Sequence, residues 1–330
     1  MLTKKDYTYT IIVDISTTYE LQGGIIMIQN IGADIGRGYA KGYSLIDGKE
    51  KECMFKSVTA LGRDMDFKNY SNPIFLDVTL GTEEFKNCFF GDLAEKEGFA
   101  PVKNSKDSKT TETVKKLLMA VISRLAIKKE INIVLGVPNR EFTKTVLNEV
   151  INAYCGKTIE VYDHISKKRV ETHINNITIF RESDAALLYQ INKSQTNNGN
   201  DNVMVNVGFR TTEISYYDNN LNFIDKKSKS LELGNQTVLE YIQKYFPKRT
   251  LEEIDSSNRY DEYKKEGYRS LTENIEQTVE SSLVNIDEIN IYACGGVINN
   301  LNLSDKFIIT EDPQLITAKG LYFIANKMYK

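Results

Sequence analysis

Two segments in different halves of the chain repeat one unit, which is a strand-like run, a glycine turn and a second strand-like run. The first unit occupies residues 28–46 around Gly36 and Gly38, and the second occupies residues 203–217 around Gly208. Apolar runs on both sides of a glycine turn predict an antiparallel pair of strands. Helix-like patterns and further strand-like runs follow each unit. The sequence therefore predicts an α/β fold with two domains that begin alike.

Size and composition agree with a two-domain, water-soluble protein. The chain has 330 residues, which exceeds the roughly 250–300 residues at which a single core stops growing. Apolar residues make up 41% and charged residues 26% of the chain, as in ordinary globular proteins. The sequence has no run of about 18 apolar residues, so we expect no transmembrane helix and no membrane partner.

Charge and cysteine usage exclude several kinds of function. The formal net charge is −3, and lysines and arginines are scattered, whereas a direct nucleic-acid binder usually carries a basic stripe. We therefore expect any DNA to be reached through another protein. The four cysteines lack the spacing of a zinc or CxxC redox site, and free thiols suit a reducing cytoplasm.

The first 26 residues lack the apolar core and cleavage site of a signal peptide. Residues 22–27 can be encoded by a purine-rich ribosome-binding sequence followed by a start codon for Met27. Our hypothesis is that Met27 is the initiator and that residues 1–26 are an N-terminal extension that is not native. The alternative is a short native extension of about one strand.

Between and after the two units, periodicity predicts a series of helices and buried strands. Apolar residues recur at helical spacing in residues 111–127, 141–154, 183–194, 235–246, 268–283 and 313–328. Short apolar runs at 131–137 and 289–293 predict buried strands. Residues 158–180 predict a hairpin, and the polar stretch 195–202 predicts a loop.

The turn of the first unit has the residues that a phosphate site needs. Gly36 and Gly38, on either side of Arg37, let backbone N–H groups approach a phosphate without an intervening Cβ. Lys41 can add a positive charge, and Asp34 can hold Mg²⁺ through its water ligands. The alternative interpretation is a glycine-rich hairpin that binds nothing.

Two later glycine turns would complete a site for a phosphate-containing nucleotide. Gly208 is followed by Thr211, in the turn of the second unit. Gly295 and Gly296 end an apolar strand just before Val297, where a helix-like stretch begins. Glycines in that place would let an adenosine lie flat against the backbone near a helix N-terminus. The alternative is a tight turn that only connects a strand to a helix.

In this order the three turns resemble the phosphate-1, phosphate-2 and adenosine motifs of the superfamily of actin, heat-shock chaperones and sugar kinases. The D-x-G-x-G-x-x-K pattern from Asp34 to Lys41 is the most specific of them, and actin-like proteins show it. Shorter segments are similar to the ParM branch, the plasmid-segregating bacterial actins; they are residues 90–94, 135–138, 182–186, 232–234 and 318–321. The resemblance covers about residues 27–328.

The resemblance implies an actin-like ATPase fold, in which two ribonuclease-H-like domains enclose a nucleotide cleft. Domain I would comprise residues 27–181 and 315–330, and domain II would comprise residues 182–314. The cleft would bind ATP, or alternatively GTP, with Mg²⁺, and head-to-tail contacts between subunits would build a filament. A DNA-binding adaptor protein on a plasmid would connect the filament to its cargo. The implied function is ATP-dependent plasmid segregation in the cytoplasm.

The resemblance also assigns roles to side chains. Glu182 matches the carboxylate that orients the attacking water in ParM-like proteins; the alternative is an acid that stabilises a helix N-terminus. Asn206 departs from the family, which has an aspartate there that helps to hold the metal and the water. Phe209 and Arg210 replace small residues of the second turn. We expect nucleotide binding to survive these changes, with Arg210 as a phosphate clamp. The resemblance does not determine the rate of hydrolysis, because the aspartate is absent.

Three other members of the superfamily remain as alternatives. A sugar or acid kinase would need an acceptor-activating aspartate in the first domain, and we find no convincing one. A chaperone-like ATPase would need a substrate-binding module beyond the nucleotide domain. A non-segregating cytoskeletal actin of the cell-shape type would be expected to carry a terminal amphipathic helix for the membrane.

Overall fold

The computed structural model of the protein describes residues 28–105, 108–194 and 198–329. The predicted extension, residues 1–26, lies outside the described residues, so that hypothesis stays a prediction. Residues 195–197 of the predicted loop lie outside them as well.

Within the described residues, the first half of the chain builds a ten-stranded mixed sheet. Its strands are β1 (Gln29–Ile35), β2 (Tyr39–Ile46), β3 (Lys49–Lys56), β4 (Val58–Leu61), β5 (Ile74–Leu80), β6 (Glu83–Phe90), β7 (Phe99–Lys103), β8 (Glu130–Val137), β9 (Thr158–Asp163) and β10 (Lys168–Arg181). They lie in the order β3-β2-β1-β8-β10-β9-β5-β6-β4-β7. Because β1, β8 and β10 are parallel neighbours, their carboxyl ends share one edge of the sheet, where ligands usually bind in α/β folds.

As far as the structure describes the second half, that half builds a five-stranded sheet of the same opening pattern. Its strands are β11 (Asp201–Val207), β12 (Thr212–Tyr217), β13 (Lys229–Leu231), β14 (Ile289–Cys294) and β15 (Phe307–Ile309). β11 is antiparallel to β12 and parallel to β14, just as β1 is antiparallel to β2 and parallel to β8. The two hairpins predicted around the glycine turns are therefore confirmed, and so is the hairpin predicted at 158–180, because β9 and β10 are antiparallel neighbours.

Helices cover the sheets and join them. They are α1 (Gly91–Glu97), α2 (Glu112–Leu125), α3 (Lys144–Tyr154), α4 (Glu182–Ser194), α5 (Asn235–Tyr245), α6 (Leu251–Ser256), α7 (Asp261–Ser282) and α8 (Ile316–Met328). α2 illustrates why the pattern predicted them: Thr111 caps its N-terminus by accepting a hydrogen bond from the backbone of Val114, and its apolar face is fully buried. None of the helices in the described ranges combines the length and apolar character needed to cross a bilayer.

The start of α7 differs from the prediction. The sequence pattern placed its first residue at 268, whereas the helix begins at Asp261. Its first turns are almost entirely polar, and Gly267 in a helical pattern weakens the signal. The structure explains that glycine: a Cβ on Gly267 would lie 2.7 Å from Cγ1 of Val238 on α5. The glycine therefore lets the two helices pack closely.

Helix α8 packs on β1 and β8 of the first sheet and also on α4. Two glycines make this close approach possible. A Cβ on Gly32 of β1 would lie 2.2 Å from the carbonyl oxygen of Ala318, and a Cβ on Gly320 would lie 2.1 Å from that of Ala185. Our division into domain I (27–181 and 315–330) and domain II (182–314) stays a prediction, because α8 contacts both the first sheet and α4.

We expect Gly32→Ala to destabilise the protein by about 3 kcal/mol, because backbone atoms cannot yield as a flexible side chain does. Gly296→Ala is the matched control: no heavy atom lies within 4 Å of a Cβ built there, so its free energy of unfolding should change by about 0.5 kcal/mol or less. Urea unfolding of both variants measures the difference. Equal stabilities would contradict the close packing of α8 on β1.

Candidate functional site

The first glycine turn joins β1 to β2, and the strand register sets its two charged groups side by side. Asp34 on β1 lies directly opposite Lys41 on β2. The Lys41 Nζ is 3.4 Å from Asp34 Oδ2, and both side chains are buried. Residues opposite each other in an antiparallel pair project to the same face of a sheet. A carboxylate and an ammonium group are thus fixed together on one wall.

The backbone of this turn is held in place from behind. The N–H of Gly36 donates to the carbonyl of Tyr39 at 3.1 Å. The carbonyl of Gly36 accepts from the Ser57 hydroxyl at 2.6 Å and from the Asn104 amide at 3.1 Å. The turn is therefore formed before a ligand arrives, which lowers the cost of binding.

The second turn repeats this geometry between β11 and β12. The N–H of Gly208 donates to the carbonyl of Thr211 at 2.9 Å. The first N–H groups of α5 hold the turn: Asn235 donates to the Gly208 carbonyl at 3.3 Å and Gln236 donates to the Phe209 carbonyl at 2.7 Å. The two turns have the same hydrogen bond at the same place, one from each sheet.

The third turn follows β14, and its two glycines serve different purposes. Gly295 has φ +116°, and a Cβ there would lie 2.2 Å from the carbonyl oxygen of Val207. Only glycine fits this position. Gly296 has open space beside it, and its carbonyl accepts a hydrogen bond from the Gln314 amide at 3.0 Å.

The three turns meet around one cavity of about 300 Å³ between the two sheets, a size that suits a small-molecule ligand. Nearly all of the sequence-predicted site residues line it: Asp34, Gly36, Arg37, Gly38, Lys41, Glu182, Asn206, Gly208, Arg210, Thr211, Gly296 and Val297. Gly295 is the exception. It lies behind the cavity wall, so its contribution is to shape the turn.

Glu182 is the first residue of α4, immediately after β10, and its side chain faces the same cavity. The pKa of Glu182 is raised to about 7, because burial and the negative charge of Asp34 raise it by more than Lys109 and Lys41 lower it. A carboxyl group with a pKa near neutrality can accept a proton at physiological pH.

Lys109 is a site residue that the sequence analysis missed. It is buried, its Nζ donates to the carbonyl of Ile35 at 3.0 Å, and the same atom lies 3.6 Å from Glu182 Oε1. The hydroxyl of Tyr154 donates to the Lys109 carbonyl at 2.6 Å. In sequence it stands in a polar segment before α2 that resembles a solvated loop, so no local signal marks it.

Glu213 is a second residue that the sequence analysis missed. It lies on β12 directly opposite Asn206, lines the cavity and is only 7% exposed. Its pKa is raised to about 7, chiefly by burial and then by the negative charge of Glu182. The available signal was an acidic residue inside a fully buried strand.

The remaining predicted side chain, Arg210, has a partner at the edge of the cavity. Its Nε donates to Glu232 at 2.9 Å, and both side chains are about half exposed. Because exposed ion pairs contribute only about 0–1 kcal/mol, this pairing is weak enough to be exchanged for a phosphate.

A polar network lies beside the third turn. The hydroxyl of Tyr268 on α7 donates to Asn235 Oδ1 at 2.7 Å, and the Asn235 amide donates to Asp255 at 3.2 Å. All three residues line the cavity together with Asn300. These amide, hydroxyl and carboxylate groups can bind the polar groups of a sugar or a base.

Comparisons with known proteins agree with this geometry. Residues 32–183 match the family model of the N-terminal domain of actin-like proteins. Solved structures with the same fold include an archaeal actin homologue, Ta0583, at TM-score 0.75 and 17% identity, covering 91% of this chain and 99% of that one. The 15-stranded ParM filament from Clostridium botulinum matches at TM-score 0.75 and 20% identity, with coverages of 91% and 99%.

Bacillus thuringiensis ParM with ATP matches at TM-score 0.64 and 15% identity, covering 92% of this chain and 99% of that one. A search of curated protein sequences gave no match. The family match over residues 32–183 and the fold shared over nearly the whole chain lead to one conclusion: the chain has an actin-like fold, the fold that ParM and Ta0583 also have.

Proposed function

We propose that the protein binds Mg–ATP in the cleft between its two sheets, hydrolyses it, and assembles into filaments that segregate plasmid DNA through an adaptor. The observation that carries the proposal is the pair of matching glycine turns, one from each sheet, which face a single cavity that also contains Asp34, Lys41, Lys109 and Glu182. Backbone N–H groups and buried ammonium groups around one cavity favour a polyphosphate as the ligand.

The nucleotide would span the three turns. The turns at Gly36–Gly38 and Gly208–Thr211 would receive the phosphates, and Lys41 would neutralise part of their charge. The adenosine would lie against Gly296, the position with open space beside its Cα. The network of Tyr268, Asn235 and Asp255 would then lie within reach of its polar groups.

The residues at the phosphate end fit a hydrated Mg²⁺. Asp34 places a buried carboxylate on the cavity wall, and Glu213 has a buried carboxylate oxygen without a hydrogen-bond partner among the described residues. Oxygen ligands and retained waters are what Mg²⁺ prefers. When bound, Mg²⁺ would reduce the negative charge of the phosphates. Asp34 would hold it through its waters.

Hydrolysis would depend on Glu182. A water attacks the γ-phosphorus, a new P–O bond forms, and the bond to the bridging oxygen breaks as ADP leaves. Glu182 would orient that water and accept its proton, because its pKa of about 7 allows both states at neutral pH. Lys109, 3.6 Å from the same carboxylate, would favour its ionised form by lowering its pKa and would stabilise charge that develops on the γ-phosphate.

Filament formation is proposed from the likeness to the Clostridium botulinum ParM filament. Head-to-tail contacts between identical subunits give open filaments when the rotation between them does not close. With a net charge of −3, the chain would reach plasmid DNA through a basic adaptor rather than directly. Loss of the γ-phosphate would weaken the filament, so that ATP sets its lifetime.

We expect Asp34→Ala to abolish measurable Mg–ATP binding and therefore assembly. The substitution removes the buried metal-facing carboxylate and leaves Lys41 without its partner. Asp66→Ala is the matched control, because that side chain is 70% exposed and lies away from the cavity. Calorimetry with ATP and Mg²⁺ measures the affinity of both variants. Parent-like affinity in Asp34→Ala would remove the cleft assignment.

The whole proposal is tested by three measurements on the parent protein: ATP and GTP binding by calorimetry, phosphate release, and nucleotide-dependent sedimentation. Tight ATP binding with phosphate release and pelleting supports a filament-forming ATPase. ADP formation that requires an added sugar or organic acid would instead identify a small-molecule kinase. Hydrolysis without any pelleting would leave the ATPase and reject the filament.

A further inference from the structure

One departure from the family concerns charge. The resemblance leads us to expect a carboxylate at position 206, which would help to hold the metal, and this chain has Asn206. Directly across the strand pair lies Glu213. Side chains at directly opposite positions of antiparallel strands lie about 4.5–5.5 Å apart at Cβ and share a face. The carboxylate missing from β11 is therefore present on β12, on the same part of the cavity wall.

The state of Glu213 indicates that a partner is missing. Glu213 is only 7% exposed, and it lines the cavity. Its Oε2 has no hydrogen-bond partner among the described residues. A buried carboxylate without a partner is costly, and buried unsatisfied polar atoms in native structures usually mark a bound ion, a water or a catalytic function.

The groups around Glu213 define what that partner must be. The negative charges of Glu182 and Asp184, both on α4, raise the pKa of Glu213, while the backbone of Asn139 and the side chain of Arg140 lower it. The two buried ammonium groups of the site are already bonded elsewhere: Lys41 to Asp34 and Lys109 to the Ile35 carbonyl. A hydrated cation between the sheets would satisfy the free oxygen.

We propose that Glu213, and not Asn206, is the carboxylate of the second sheet that holds the waters of the Mg²⁺ accompanying ATP. The proposal rests on the proposed function, because it assigns a ligand-facing group within the same cleft. It makes Glu213 an outer ligand of the metal ion, comparable to Asp34 on the first sheet. Asn206 then needs only to be a neutral neighbour.

The test measures metal affinity directly, with Mn²⁺ in place of Mg²⁺ and a non-hydrolysable ATP analogue in the cleft. Electron paramagnetic resonance counts free Mn²⁺ in titrations of the parent, Glu213→Gln, and the double variant Glu213→Gln with Asn206→Asp. We expect Glu213→Gln to weaken Mn²⁺ binding by about 10- to 100-fold, as loss of an outer-shell partner does. The double variant should recover most of that loss, because it returns a carboxylate to the opposite strand.

Two further readouts separate this role from a structural one. Glu213→Gln should raise the melting temperature of the nucleotide-free protein, because it removes an unpartnered buried acid, while a residue needed for packing would lower it. Analogue binding in EDTA should match the parent. Glu262→Gln, at a side chain that is 84% exposed, should leave Mn²⁺ affinity unchanged.

Parent-like Mn²⁺ affinity in Glu213→Gln would overturn the assignment, and so would failure of the double variant to recover. If the parent protein binds the analogue in EDTA and either of these results is found for the variants, the nucleotide cleft stands and only the role of Glu213 is lost. A parent protein that binds no analogue under any condition rejects the proposed function, and this proposal with it.

Discussion

Replacing Glu182 by Gln should lower the rate of ATP hydrolysis by roughly 10²- to 10⁴-fold while leaving ATP affinity within a few-fold of the parent. The amide keeps the shape of the side chain, which packs against Gly136, but it cannot accept a proton. ATP binding depends on the glycine turns, which the substitution does not touch. If the protein polymerises, filaments of Glu182→Gln should persist much longer than those of the parent.

The rate of ATP hydrolysis should depend on the protonation state of Glu182 and therefore on pH. With a pKa of about 7, Glu182 is mostly protonated at pH 6 and mostly ionised at pH 8, and only the ionised form accepts a proton. The parent rate should therefore rise with pH through about 7, and the residual rate of Glu182→Gln should lack that rise. Phosphate release between pH 6 and 8 measures both. A variant as fast as the parent would show that Glu182 only stabilises the N-terminus of α4.

Lys109→Met should lower the hydrolysis rate at pH 7 by about 10²-fold and move the pH profile to higher pH. The lysine lowers the pKa of Glu182, so its loss raises that pKa and leaves less of the carboxylate ionised at neutral pH. The variant also loses a cation that would face the γ-phosphate, and removing one such donor typically costs about 10²–10³-fold.

Matched variants make the Lys109 result specific. Lys109→Arg keeps the charge and should return the midpoint of the pH profile towards that of the parent. Lys116→Met is the control, because this lysine on α2 pairs with Glu112 away from the cavity. Rates across pH 6 to 9, with thermal melting to verify folding, separate the outcomes. A slower enzyme with an unshifted profile would mean that Lys109 supports structure only.

Much of the fold was predictable because its signals are local. The hairpins around Gly36 and Gly208 show in the alternation of apolar residues and glycines, and the register follows from the turns. The same motifs placed Asp34, Lys41 and Glu182, because each stands next to a strand end that the pattern fixes. The family match over residues 32–183 agrees with the resemblance that those motifs suggested.

What the sequence did not reveal depends on contacts between distant segments. Lys109 belongs to the cavity because its ammonium group binds the carbonyl of Ile35, the last residue of β1, which is 74 positions earlier in the chain. Glu213 matters because of its register with Asn206, which a motif read along one strand cannot show. The early start of α7 was hidden by its polar first turns.

The shared edge of β1, β8 and β10 has a mechanical consequence. Asp34 lies near the end of β1, and Glu182 follows β10 directly, with β8 between the two strands. Their separation is thus set by the spacing of hydrogen-bonded strands, which would not change if the two sheets moved apart. Gly208 and Glu213 belong to the other sheet and would move away with it. If the protein hydrolyses ATP as proposed, an open cleft would leave Asp34 and Glu182 together but would separate them from Gly208 and Glu213, so the rate of hydrolysis would depend on the fraction of time for which the two sheets are closed on the nucleotide.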